Sequence, residues 1–206
     1  MFCNLHYNEH SYYNGGFEIS IINPYQVCPV FESECLIYRL VQEEDAEDLL
    51  ECYSDAASIP LFNSDNCTND FNFQMIEEMS GCIRFWLDEY AGHSYVRFSI
   101  VEKDSDKAVG TIEFFARNES VEGVGVIGVL RLDLISRLEN EGVLTEILSM
   151  IEKEFYDCFG VDAMITKAIP AAKQRITALL NSGYSKIEGN ALVSFYDYYM
   201  ISRVSG

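Results

Sequence analysis

Two carboxylates on consecutive apolar stretches are the side chains whose type and setting suit proton transfer. They are Glu113 in Val109-Gly-Thr-Ile-Glu113 and Asp133 in Leu130-Arg-Leu-Asp-Leu134. A carboxylate within hydrogen-bond reach of a reacting amine or hydroxyl can act as general base. In a strand Glu113 points away from Ile112 and Phe114, so it faces either solvent or an acceptor groove. Arg131 stands two residues before Asp133 and shares its face. That spacing predicts an Arg131–Asp133 ion pair first and a general base second.

Directly after Asp133 comes an arrangement suited to anions: a β-branched strand (128–134), the loop Ile135-Ser-Arg-Leu-Glu-Asn-Glu141, and a helix opened by Gly142. First-turn N–H groups lack partners and the helix dipole is positive there, so phosphates bind at such ends. Glu139 and Glu141 carry the opposite message. A carboxylate beside a first turn stabilises its helix by ~0.3–1 kcal/mol. A close like-charged pair costs ~1 kcal/mol in water and more where desolvated. Arg137 in the loop, with Lys167, Lys173 and Arg175 on the following elements, could compensate. The loop therefore either caps its own helix or, with those cations, receives an anion.

The elements that must position these groups follow from periodicity. Leu36 to Leu40 alternates as a strand; Glu43-Glu-Asp45 leads into a helix with Ala46, Leu49, Leu50 and Tyr53 on one face. Residues 63–72 form an Asn/Asp-rich loop. Phe73, Ile76, Met79, Ile83, Trp86, Leu87 and Tyr90 recur at helical spacing, with a break expected at Ser80-Gly81. Strands are expected at 95–103, 108–116 and 124–134. Leu144, Ile147, Leu148, Ile151 and Phe155 mark a long helix, followed by strand 163–167, helix 171–181 and an aromatic strand 191–201. A helix between strands predicts parallel pairing at both of the last crossovers. Trp86, Tyr90 and Arg97 are either core or the lining of an acceptor groove, and His93 is expected in a turn.

Composition limits the partners. With 14 Lys+Arg against 33 Asp+Glu, the formal net charge is −19, which argues against nucleic acid and anionic membranes. Hydrophobic residues at 49% suit a globular domain. No apolar run approaches a membrane span and no basic-then-apolar leader opens the chain, so a cytoplasmic protein is expected. Seven scattered cysteines, none in a CxxC pair, read as reduced thiols. Cys3, His6 and His10 lack a zinc signature, and no metal site is expected. Residues 1–35, rich in Tyr, Asn and Gly, are expected as an irregular extension before a domain at 36–206.

The order of elements over 36–201 resembles the GCN5-related N-acetyltransferase (GNAT) superfamily, closest to its ribosomal-protein N-acetyltransferase branch. Leu40-Val-Gln-Glu-Glu-Asp-Ala-Glu-Asp-Leu49, the Val109–Glu113 strand, the block Leu130–Leu148 and Leu179-Leu-Asn-Ser-Gly-Tyr184 carry the resemblance. It implies an α/β fold: an acyl-CoA N-acyltransferase-like mixed sheet, helices on both faces, and a splay between two central parallel strands, 129–134 and 163–167. It also implies transfer of an acetyl group from acetyl-CoA to a small-molecule amine or peptide N-terminus, with Glu113 or Asp133 as base. The cofactor would lie on the backbone of Leu132 and Leu134 and on Arg137, Leu138, Asn140, Glu141, Gly142, Val143, Leu144 and Lys173. Tyr184, Tyr196, Tyr198 and Tyr199 are available as thiolate acid. The family motif asks for Arg or Gln, two free positions, Gly, one free position, then Gly or Ala. Only Gly142 matches; Glu139 and Leu144 depart, as do Ala172 for an Asn and Leu179 for a Tyr. A second reading therefore stays open, a catalytically silent binding or regulatory module. Oligomeric state is open, a homodimer being one candidate.

Overall fold

The alternation that predicts strands also divides the molecule into layers. The computed structural model describes residues 23–203 except Asn69 and residues 189–191. Among these residues a single mixed sheet contains β1 (Phe31–Glu32), β2 (Leu36–Leu40), β3 (Val96–Glu102), β4 (Lys107–Val121), β5 (Gly125–Leu134), β6 (Ala163–Lys167), β7 (Ser185–Lys186) and β8 (Tyr198–Ser202). The spatial order is β1-β2-β3-β4-β5-β6-β8-β7. Phe98, Ile112, Phe114, Leu130 and Leu132 face α3 (Glu141–Phe159) and α4 (Lys173–Asn181) in one core. On the opposite face α1 (Ala46–Tyr53) and α2 (Ile76–Ala91) pack with Val101 and Ala108. The mixed α/β sheet is the one expected from the element order, and the helices on both faces are what the resemblance implies.

Two local expectations fail for physical reasons. α2 runs unbroken through Ser80-Gly81. A helix-interior glycine costs about 1 kcal/mol, less than the burial of Met79, Ile83 and Trp86 on the same face returns. The final strand is shorter than 191–201, and β8 pairs antiparallel to β6, not parallel. After α4 the chain first lays down β7, then reverses before β8, so the helix is not a simple crossover. Of the N-terminal extension, residues 1–22, with Cys3, His6 and His10, lie outside the described residues; β1 pairs antiparallel with β2.

The feature that matters for function lies between β5 and β6. Their parallel pairing runs from Ile127↔Ala163 to Leu130↔Thr166 and then stops. β5 continues to Leu134, held on its other side by β4 through Gly110↔Leu134, Thr111↔Asp133, Ile112↔Leu132 and Glu113↔Arg131. Residues 131–134 thus have a strand partner on one side only. This is the splay that the resemblance implies.

Gly110 sets how closely β4 approaches this segment. A Cβ there would lie 2.2 Å from the Asp133 carbonyl oxygen and 2.9 Å from the Leu134 Cα. Both are backbone atoms and cannot swing aside. Gly110→Ala should therefore cost about 1–3 kcal/mol in denaturant unfolding.

Candidate active site

Strand register brings the polar residues of β3, β4 and β5 into one buried row. Arg97 lies opposite Glu113, and Glu113 opposite Arg131. Glu113 is 2% exposed and both of its oxygens are taken. Arg97 Nη2 donates to one, and Arg131 Nη1 donates to the other at 2.7 Å. The Arg97 guanidinium also stacks 4.2 Å from the Trp86 ring centre. Burial pulls the Arg97 charge down, but Glu113, Tyr53 and Asp133 more than restore it, and its pKa lies above the ordinary arginine value. Trp86 and Arg97 are therefore core, not groove lining.

The expected Arg131–Asp133 pair does not form. Residues i and i+2 on a strand are farther apart than residues directly opposite across strands, so cross-strand partners win. Arg131 takes Glu113, while Asp133 takes Arg97 Nη1 at 3.2 Å and the Tyr53 hydroxyl at 2.7 Å. Both bonds fall on Asp133 Oδ2; Oδ1 has no hydrogen-bond partner among the described residues although Asp133 is 2% exposed. Burial raises the Asp133 pKa above its ordinary value, against the lowering pull of Arg97, Tyr53 and Arg175. Of the two carboxylates named from the sequence, Glu113 is fully engaged and Asp133 keeps a free oxygen. Tyr53 was legible only as one apolar helix position; its hydroxyl role depends on the packing of α1 over β4 and β5.

A second buried cluster fills the splay itself. Arg175, in the first turns of α4, is 3% exposed. Its Nη1 donates to the Leu132 carbonyl at 2.9 Å and to the Leu61 carbonyl at 3.2 Å. Nε and Nη2 donate to the two carboxylate oxygens of Glu139 at 2.7 and 3.0 Å. The anion loop is also pinned from the far side, since the Ser136 N–H donates to Asp55 Oδ2 at 3.0 Å. Burial raises the Asp55 pKa, but hydrogen bonds from Ser136, Ser58 and Ala57 outweigh it and hold the carboxyl well below the usual range.

The remaining sequence-derived site residues divide clearly. Asn140, Glu141 and Gly142 are exposed at the α3 N-terminus, with Leu138 and Val143 half-buried beside them. Asn140 Oδ1 accepts from the Val143 N–H at 3.2 Å, so the helix is capped by its own N-cap residue. Glu141 accepts from Asn181 Nδ2 at 2.7 Å. Leu144 is in the core at 0% exposure, as is Leu134, while Leu132 offers its carbonyl to the gap. The expected cation cluster is dispersed: Arg137 pairs with Glu102 and Lys167 with Asp65, leaving Lys173 exposed. Leu179 and Tyr184 are buried at 1% and 2%.

Residues 63–67, read from sequence only as a polar loop, join β5, β6 and β8 where the β5–β6 pairing ends. Asp65 accepts from Lys167 Nζ at 2.7 Å and from the Tyr198 hydroxyl at 3.2 Å, and its carbonyl accepts from Arg131 Nη2 at 2.8 Å. Asn63 Nδ2 donates to the Tyr198 oxygen at 3.0 Å. Local bonds such as Asp65 N–H to Asn63 Oδ1 shape the turn, but the partners on β5, β6 and β8 are distant in sequence and no local pattern marks them. No group of three or more His, Cys, Asp or Glu that could hold a metal occurs among the described residues. No helix among them is long and apolar enough to cross a membrane.

Known proteins share this fold. The acetyltransferase (GNAT) domain model matches residues 36–185. The chain belongs to the GNAT acetyltransferase family. A curated relative, the uncharacterized N-acetyltransferase YoaA of Bacillus subtilis (strain 168), is 20% identical over 77% of this chain and 84% of its own. The ribosomal L7/L12 alpha-N-protein acetyltransferase RimL, solved with coenzyme A, superposes with a TM-score of 0.63 at 11% identity, covering 85% of this chain and 97% of that one. The microcin C7 self-immunity acetyltransferase MccE, solved with acetyl-CoA and AMP, gives 0.59 at 16% identity over 82% and 93% of the two chains. These two structures share the fold of this GNAT member.

The buried charges make definite stability predictions. Glu113→Gln leaves Arg97 and Arg131 facing a neutral partner and should cost about 3–5 kcal/mol in denaturant unfolding. Asp45 is 4% exposed. Burial raises its pKa, but Arg39, Ser99 and the Gln42 N–H outweigh that and leave it lowered. A lowered carboxyl stabilises the fold above its unfolded pKa and loses that contribution as pH falls through the folded value. The stability difference between wild type and Asp45→Asn should therefore stay level above about pH 4 and shrink below it, as read from urea midpoints across pH.

Proposed function

We propose that this GNAT protein is an acetyl-CoA-dependent N-acetyltransferase acting on the amine of a small molecule or a peptide N-terminus. The observation that carries this reading is the pairing of two features on one strand. Residues 131–134 of β5 lack a strand partner on the β6 side, and Asp133 within them keeps an unpartnered buried oxygen. The thioester arm would lie along the free edge at Leu132 and Leu134, its pyrophosphate toward the exposed Asn140-Glu-Gly142 turn and Lys173. The ligands named for RimL and MccE support a CoA thioester as the donor class.

The chemistry follows from proton balance. The acceptor nitrogen attacks the thioester carbonyl carbon, forming the C–N bond and placing negative charge on the carbonyl oxygen, which a main-chain N–H of the splayed edge can stabilise. Asp133 Oδ1 takes the proton that the nitrogen must lose. The C–S bond then breaks, and the same proton passes to the departing sulfur. Arg97 and Tyr53 fix the carboxylate through Oδ2 and leave Oδ1 for this transfer. Glu113 holds Arg97 in place and is a positioning residue. The net charge of −19 favours cationic acceptors by long-range steering.

Acetyl-CoA at a hundredfold excess over its dissociation constant should stabilise the folded protein by about 2.7 kcal/mol, visible as a rise in melting temperature. Asp133→Asn should lower kcat by about two to four orders of magnitude while that thermal shift persists. Because the Asp133 pKa is raised, the acid limb of the wild-type rate profile should lie above the ordinary carboxyl value of 3.8. An absent thermal shift, or an unchanged rate in Asp133→Asn, defeats the corresponding half of the assignment.

A further inference from the structure

We propose that Arg175 and Glu139 form an internal latch that closes the donor cleft, so that acetyl-CoA binds only when this ion pair opens. The proposal rests on the acyltransferase reading and concerns regulation of that same cleft. The Leu132 carbonyl lies on the strand edge that loses its β6 partner, and Arg175 Nη1 already donates to it. A thioester arm pairing with this edge needs the same acceptor, so guanidinium and donor exclude one another. Glu139 stands where the family motif carries a basic or amide residue. Its side chain is 7% exposed and turned inward, onto Arg175 at 4%.

The same guanidinium reaches a third element. Its bond to the Leu61 carbonyl ties the 3-10 turn Ile59–Leu61 to β5 and to the anion loop. Asp55, at the start of that segment, holds the Ser136 N–H. This segment leads into the chain that covers Tyr53 and the Arg97–Asp133 row, with Phe62, Phe71 and Phe73 packed around the Tyr53 ring. One closed latch therefore seals the donor edge and fastens the cover of the proton-transfer site together. Simple repulsion by an acidic loop would act equally through Glu139 and Glu141; a latch acts through Glu139 alone, because Glu141 bonds outward to Asn181.

That difference supplies the test. Acetyl-CoA affinity is measured by calorimetry for wild type, Glu141→Gln, and the double variant Glu139→Gln with Arg175→Met, which removes both charges together and frees the Leu132 carbonyl. The double variant should bind at least about tenfold tighter. Glu141→Gln, which removes a charge from the pyrophosphate turn without touching the ion pair, should tighten binding by no more than the roughly fivefold that one close like-charge contact is worth in water. Equal affinities for wild type and double variant overturn the latch and leave the acyltransferase reading intact. No binding by any of the three at millimolar acetyl-CoA overturns both. Equal tightening by Glu141→Gln overturns the latch in favour of loop charge. Should the double variant not fold, the wild-type Arg175 Nε–H resonance decides: it should shift and lose exchange protection at acetyl-CoA saturation, and an unchanged signal overturns the proposal.

Discussion

A strand that outlives its neighbour leaves main-chain donors and acceptors with nowhere to go, and most of this molecule's chemistry follows from that. β5 extends past the last β6 pair, Leu130↔Thr166. Buried backbone groups left without partners cost free energy comparable to a lost hydrogen bond. A protein can meet that cost with a ligand, with water or with its own side chains. Here Arg175 supplies the donor at Leu132, and its charge in turn requires Glu139 nearby. The acidic residue in the anion loop is thus the counter-ion of a guanidinium that itself answers an open strand edge.

Next to this edge lies a row of buried charge that orders the α1–α2 face of the sheet. Arg97, Glu113 and Arg131 occupy directly opposing positions on β3, β4 and β5, and Asp133 attaches through Arg97 and Tyr53. Buried ion pairs are weak devices for stability, since desolvation offsets most of the attraction. They are strong devices for geometry, because each partner admits few hydrogen-bonding arrangements. The row fixes one oxygen of Asp133 and leaves the other without a partner. Such an asymmetric carboxylate, raised in pKa by burial, suits the proton-carrying role proposed for it.

The two clusters meet through segment 55–67, which has little regular structure. Asp55 and Leu61 hold it to the anion loop and Arg175, while Asp65 holds it to Lys167, Tyr198 and Arg131. One guanidinium thus joins the open edge of β5, the loop before α3 and segment 55–67.

Much of the architecture was legible in the chain itself. Period-two and helical spacing placed β3, β4, β5, α3 and β6 closely, because each buries a continuous apolar face and local pattern reports that directly. The splay was implied by the family resemblance that those elements carry, not by their periodicity. The pairing partners were not legible. Arg131 chose Glu113 over Asp133, Lys167 chose Asp65, and Glu139 turned to Arg175 instead of capping α3, which Asn140 does. Residue types fixed which groups could ionise and which strands would carry them, because composition and periodicity are local properties. Which charge meets which, and whether a carboxylate oxygen is left free, was decided only in three dimensions, since strand register and the packing of α4 against β5 join residues far apart in the chain.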